Sequence, residues 1–152
     1  MKRLIYAGFL FLSAGLLPLS ALAVGGMYET SLSGGLASTI SLSLRFEATP
    51  LAVAFGGSLD EESLYLSASS DWYVFEHYLL SSIELYAGIG AYIESGESLR
   101  TGLRAPLGIR ARPLEIGELF AELIPAAGID TSGENDPEIV ALQLALGFRI
   151  LF

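Results

Sequence analysis

Along most of this chain, hydrophobic and polar residues alternate one by one. The clearest run is ALQLALGFRILF at 141–152. Leu142, Leu144, Leu146, Phe148, Ile150 and Phe152 take the even positions, and Ala141, Gln143, Ala145, Gly147 and Arg149 the odd ones. A period of two marks an extended strand with one apolar face. The same period recurs over 26–34, 38–48, 51–59, 63–74, 80–94, 98–112 and 117–130, with turn signals between the runs. Eight successive strands predict an all-β chain, and the connections predict its topology. GGLAS, SLDEE, ESGES and TSGENDPE are polar and mostly acidic; ATP, the stretch around EHYL, and RPLEIG are tighter. Two kinds of connection in alternation predict an antiparallel up-and-down meander with unlike ends. Pro106 and Pro125 fall inside the sixth and seventh runs, where a missing N–H predicts a lost ladder bond or a bulge.

Each run has two distinct faces. In the sixth, Leu99, Thr101, Leu103, Ala105, Leu107, Ile109 and Ala111 oppose Arg100, Gly102, Arg104, Pro106, Gly108, Arg110 and Arg112. In the fifth, Ile83, Leu85, Ala87, Ile89, Ala91 and Ile93 oppose Glu84, Tyr86, Gly88, Gly90, Tyr92 and Glu94. In the second, Ile40, Leu42, Leu44 and Phe46 oppose Ser41, Ser43, Arg45 and Glu47. Two architectures share this pattern. A soluble sandwich or barrel turns the apolar face inward; a transmembrane barrel turns it to lipid and lines its lumen with the polar face.

Three features favour the membrane arrangement. The polar face mixes Gly56, Gly88, Gly90, Gly102, Gly108, Ala145 and Gly147 with large charged residues; glycine weakens an exposed strand, whereas small beside large fills a narrow barrel. That face also lacks lysine and uses arginine, whose rigid fork suits desolvated pairing with carboxylates. Finally, if Glu94 faces Arg100 across the SGES turn, the same register sets Glu84 opposite Arg110. Across the next turn Arg112 then faces Glu118, with Glu122 diagonal to Arg110. Opposite charges across a ladder are worth about 0.2–1 kcal/mol each, and an unpaired charge in a crowded lumen costs several. The expectation is an eight-stranded antiparallel up-and-down transmembrane β-barrel over 24–152. A lumenal charge network would join Arg45, Arg100, Arg104, Arg110, Arg112 and Arg149 to Glu29, Glu47, Asp71, Glu84, Glu94, Glu118 and Glu122. Tyr28, Phe46, Trp72 and Phe148 would surround Phe152 as an aromatic girdle at the periplasmic rim.

Composition adds a leader and a sign. Lys2 and Arg3 precede an apolar stretch broken by Pro18, and Ala21-Leu22-Ala23 has the small-x-small form of a cleavage site; residues 1–23 read as a signal peptide. Lys2 is the only lysine, so 24–152 sets six arginines against seventeen acidic side chains, a net charge of −11. Nucleic acid is not an expected partner for such a chain. With no cysteine there is neither a disulfide framework nor a thiolate metal site.

The whole stretch from 24 to 152 resembles the small eight-stranded outer-membrane barrels of the OmpA/OmpX type. The terminal LGFRILF, with Phe148, Ile150 and Phe152 on one face, resembles the C-terminal signal read by the barrel assembly machinery. The stretch GLRAPLGIRARPLEIGELFAELIPAAG at 102–128 is similar to a motif of a family of poorly characterised small outer-membrane β-barrel proteins. The resemblance implies a multi-pass protein of the outer membrane of a diderm bacterium, in contact with outer-membrane lipids, handled by the assembly machinery, and a monomer. The outer loops are short for an adhesin.

Little here suggests catalysis. His77, the only histidine, sits beside Glu76 in the expected turn around EHYL. A lipid-hydrolysing Ser–His site would sit at the other rim, and no G-x-S-x-G elbow is present. GIGAYI at 88–93 lacks the third glycine of a dinucleotide loop. Glu118 and Glu122 share a face about 13 Å apart, too far for a paired acid and base. DTSGENDPE lacks calcium-loop spacing. No cofactor or metal is expected. The leading expectation is a non-catalytic barrel plugged by its own charges, with an envelope role or weak surface contact through the acidic loops. The alternatives are a soluble periplasmic β-barrel holding an apolar ligand, and a lipid-modifying enzyme using His77.

Overall fold

The computed structural model describes residues 22–59, 64–96, 98–131 and 138–152. Nine strands follow in order: β1 (Leu22–Ser33), β2 (Thr39–Phe46), β3 (Leu51–Leu59), β4 (Leu64–Leu80), β5 (Ile83–Ser95), β6 (Leu99–Arg104), β7 (Leu107–Leu114), β8 (Gly117–Asp130) and β9 (Glu138–Leu151). Each pairs antiparallel with its neighbours, and β1 pairs with β9 to close the sheet. β6 and β7 are two halves of one stave, since both lie between β5 and β8. The molecule is a closed eight-stave barrel with no free edge, as a transmembrane sheet requires. Of the expected leader only Leu22 and Ala23 are described; they open β1 beside Phe46 and Arg45.

The prolines bend the expectation. The register on either side of Ala105 and Pro106 is unbroken, so no residue is inserted. Ala105 N still donates to Pro125 O at 2.9 Å, and Pro106 O accepts from Gly88 N at 2.8 Å. Pro125 pairs with Leu142 in register. Proline here removes a donor without displacing the chain. The bulges lie elsewhere, between Ser31 and Ser33, Tyr73 and Phe75, Tyr78 and Leu80, and Ala111 and Leu114.

Two of those bulges overturn the EHYL turn. β4 runs on to Leu80, and the reversal is at Ser81 and Ser82. The extra residue at Tyr73/Phe75 switches the side-chain parity of β4. Glu76 thereby turns to Arg110 in the lumen, while Phe75 and His77 stack at 6.2 Å. The aromatic rim also changes membership. Phe46 and Trp72 flank Leu51 beside a tight turn, and Phe152 N donates to Leu22 O at that same end. Tyr28 pairs with Ile40, near the far end of β2 from Phe46.

The barrel's stagger can be followed through the pairings. A row leaving β1 at Ala23 runs through Arg45, Ala52, Asp71, Gly90, Arg104, Ala126 and Ala141. It meets β1 again at Gly34, whose backbone lies against Ala141, eleven residues along. One of those eleven is the Ser31/Ser33 bulge, leaving a stagger of ten over eight staves. Such a stagger tilts the strands by about 35–45° and leaves an interior that side chains can fill.

The inside and outside are inverted relative to a soluble protein. Ile40, Leu103 and Val140 are 73%, 71% and 75% exposed, while Arg110, Glu118 and Arg149 are 2%, 1% and 2% exposed. The soluble barrel with an apolar interior is therefore overturned: the apolar face of every stave points out.

Candidate functional site

The barrel interior is the site. Its two ends differ in their connections: the turns at 47–50, 81–82 and 115–116 close one end, and the connections after β1, β3, β5 and β8 form the other, which is called the loop end.

At the turn end, Glu118 on β8 is the hub. Its carboxylate meets Arg45 at 3.0 Å, Arg149 at 2.8 Å and Arg112 at 3.5 Å. Arg149 lies opposite Glu118 in the β8–β9 ladder, whereas Arg45 reaches across the lumen from β2. Glu47 bridges Arg45 at 3.2 Å and Arg112 at 3.4 Å near the rim. Arg149 also donates to Ser43 Oγ at 3.0 Å, and its guanidinium stacks 3.8 Å over the Phe120 ring. Beside this hub Arg110 grips Glu84 with two hydrogen bonds, of 2.8 and 3.0 Å, and a third bond goes to Glu76. The same guanidinium sits over Tyr86 at 4.8 Å and Tyr73 at 5.6 Å. A planar, forked cation that bonds edge-on and stacks face-on uses both properties that distinguish arginine from lysine.

Deeper in, Glu122 has no arginine within bonding reach. It accepts from Tyr86 Oη at 2.7 Å and Tyr73 Oη at 3.3 Å. The expected arginine partnership holds for Glu118, whereas Glu122 Oε1 instead accepts from the Tyr86 and Tyr73 hydroxyls.

Toward the loop end the sharing reverses. Arg104 serves two carboxylates, Glu29 at 3.0 Å and Asp71 at 3.1 Å. Arg100 likewise serves Glu94 at 3.1 Å and Asp130 at 3.2 Å. The Arg104–Asp71 contact passes over Gly90, which lies between them in the ladder row. A methyl on Gly90 would come within 2.1 Å of Asp71 Oδ1. Gly108 and Gly147 similarly leave room for the Tyr86 and Phe120 rings, their nearest approaches to an added Cβ being 2.4 and 2.3 Å. Gly90, Gly108 and Gly147 are thus the spaces into which large lumenal groups fit.

The loop after β1 closes this end. Gly34 and Gly35 have φ of 90° and 71°, values open to glycine and strained for most other residues. They turn the chain inward and bury Leu36 against Tyr92, Ala126 and Ala141. Gly35 O accepts from Arg100 at 2.9 Å, and Ala37 N donates to Glu94 at 3.1 Å.

All thirteen charged residues singled out in the sequence lie on the lumenal side. The register from Glu94–Arg100 to Glu84–Arg110 is found as expected. Sequence reasoning missed Glu76 and Asp130. Glu76 was hidden by the bulge that reverses its face, and Asp130 is the ladder partner of Arg100, which the register could have supplied. Among the described residues no group of three His, Cys, Asp or Glu could hold a metal. The acidic TSGENDPE connection lies mostly outside the described residues.

The architecture has known counterparts. The chain is similar to the N-terminal β-barrel domain of OprF from Pseudomonas aeruginosa, at 13% identity and a TM-score of 0.55, over 88% of this chain and 98% of that one. It is similar to Neisserial surface protein A, at 15% identity and a TM-score of 0.50, over 87% and 95% of the two chains. The fold is that of the small eight-stranded outer-membrane β-barrels. No family model matches the sequence, and no curated protein does.

Proposed function

We propose that this chain is a small integral protein of the bacterial outer membrane, closed to solutes by its own charged side chains. Its role is structural, or one of weak surface contact, without catalysis. The carrying observation is the inversion of the barrel, with leucine, isoleucine and valine outward and arginine–carboxylate pairs within. An apolar wall of this extent is stable only against lipid. The 1–23 leader supports export, and the Phe148, Ile150, Phe152 face supports handling by the assembly machinery. Separate clusters of ion pairs, from Glu47 at the turn end to Asp130 at the other, occupy the lumen, which supports a plug rather than a pore. The stacking of His77 on Phe75 supports a packing role for the histidine. The acidic connections supply the surface for contact, and the closed sheet favours a monomer.

The test is to express the chain with its leader, extract it, and compare gel migration with and without boiling. A compact, protease-resistant unboiled form that needs detergent is expected, with no steady conductance in planar bilayers. A chain that stays monodisperse without detergent would overturn membrane residence, and a steady single-channel current would overturn the plug.

A further inference from the structure

One stretch of the outer wall is hollow. Between β4 and β9 the lipid-facing side carries a groove of about 760 Å³, within the size range of ligand pockets. Trp72, Ile89, Leu103 and Val140 line it, and Ala91 and Ala127 flank Leu103 in the ladder with short side chains. The groove follows the row already traced through Gly90, Arg104, Ala126 and Ala141, so it climbs from the Trp72 side toward the loop end. Every outward side chain along it is apolar. Arg104 contributes only from behind, its guanidinium being held in the lumen by Glu29 and Asp71.

One polar atom in this wall has lost its partner. Ala105 and Pro125 both line the groove. Ala105 N donates to Pro125 O at 2.9 Å. In an antiparallel ladder such a pair exchanges two bonds, but Pro125 has no N–H to return the second one to Ala105 O. In water, solvent would complete that carbonyl. In hydrocarbon nothing does, and an unsatisfied backbone group there is costly. The occupant that fits is apolar along its length and carries one hydroxyl. A protein segment fits less well, because inside a bilayer a helix or a barrel uses its backbone donors on itself.

We propose that this groove seats one acyl chain of a membrane lipid, with a hydroxyl on the chain donating to Ala105 O. The proposal rests on the membrane residence argued above. Trp72 is the only tryptophan of the chain and lines the groove, so its emission reports the occupant. The protein is reconstituted in dioleoylphosphatidylcholine vesicles in which a fixed share of the lipid has brominated chains, which quench a nearby tryptophan. Stearate, or hydroxystearate with its hydroxyl at mid-chain, is then titrated in. Hydroxystearate should restore Trp72 emission saturably, at a severalfold lower mole fraction than stearate. The Pro125→Ala variant returns an N–H to Ala105 O and leaves the groove open, so the two acids should become equal. Ala127→Leu, which faces outward and touches no ion pair, fills the groove and should weaken both responses. Equal titrations of the two acids in the unsubstituted chain would overturn the proposal. A hydroxyl preference that survives Pro125→Ala, or responses unchanged by Ala127→Leu, would also overturn it by placing the chain elsewhere. No quenching at all by the brominated lipid would instead remove the membrane residence on which the proposal stands.

Discussion

The two halves of the lumen solve opposite problems. At the turn end, four arginines meet four carboxylates, Glu47, Glu76, Glu84 and Glu118, and one acid is shared by three bases. At the loop end, each of two arginines is shared by two acids. The chemistry is the same and the sharing is inverted. In the first half one acid, Glu118, serves three arginines, so losing it should strand several cations. In the second each arginine serves two acids, so losing one acid leaves its arginine paired. Whether a buried charge stabilises the barrel thus depends less on its own contacts than on how many partners share it.

The largest effect should come from breaking the most shared acid. Glu118→Gln leaves Arg45, Arg112 and Arg149 around a neutral amide, and stranding a buried partner costs about 3–5 kcal/mol. Urea unfolding in detergent should show that loss, or the compact gel form should not appear. Arg110→Leu belongs beside it. It leaves Glu84 and Glu76 without a base, and should damage folding more than any substitution in the connections; equal stability of the two kinds of variant would count against a charge-packed lumen. Next come the spaces. Gly147→Ala drives a methyl into the Phe120 ring, and overpacking of this kind costs about 1–3 kcal/mol. The sharpest comparison is Asp71→Asn. Arg104 keeps Glu29, so unfolding should shift by under about 1 kcal/mol or toward greater stability, well short of a lost buried pair. A loss as large as that of Glu118→Gln would erase the difference between the halves. The smallest effect is expected for Glu47→Gln at the rim, where a part-exposed ion pair is worth under about 1 kcal/mol.

Much of this was legible in residue order. Alternation gave the staves and the faces, because strand side chains repeat every two residues, and one matched pair, Glu94 with Arg100, carried the register to Glu84 and Arg110. What stayed hidden has two physical sources. Bulges cost the period its phase: one extra residue after Tyr73 sent Glu76 inward and made a strand of the expected EHYL turn. Contacts across the lumen, such as Arg45 with Glu118 or Arg104 with Glu29, join staves that are not neighbours. They depend on the closure and stagger of the whole barrel, which no local pattern encodes. Tyr28 lies away from the Phe46 end because β1 begins at Leu22, six residues before it, rather than at 26.

The pairing of β1 with β9 bears on how the molecule comes into being. Val24 pairs with Ile150, so the seam joins the earliest and latest strands of the sheet to be synthesised. Until both have arrived there is no closed circle, only a ribbon with two unpaired edges and an oily outer surface. Contacts this distant along a chain form slowly, because the intervening loop must be ordered first. The barrel can therefore close only once both edge strands are available, and until then its unpaired edges and oily surface are open to aggregation.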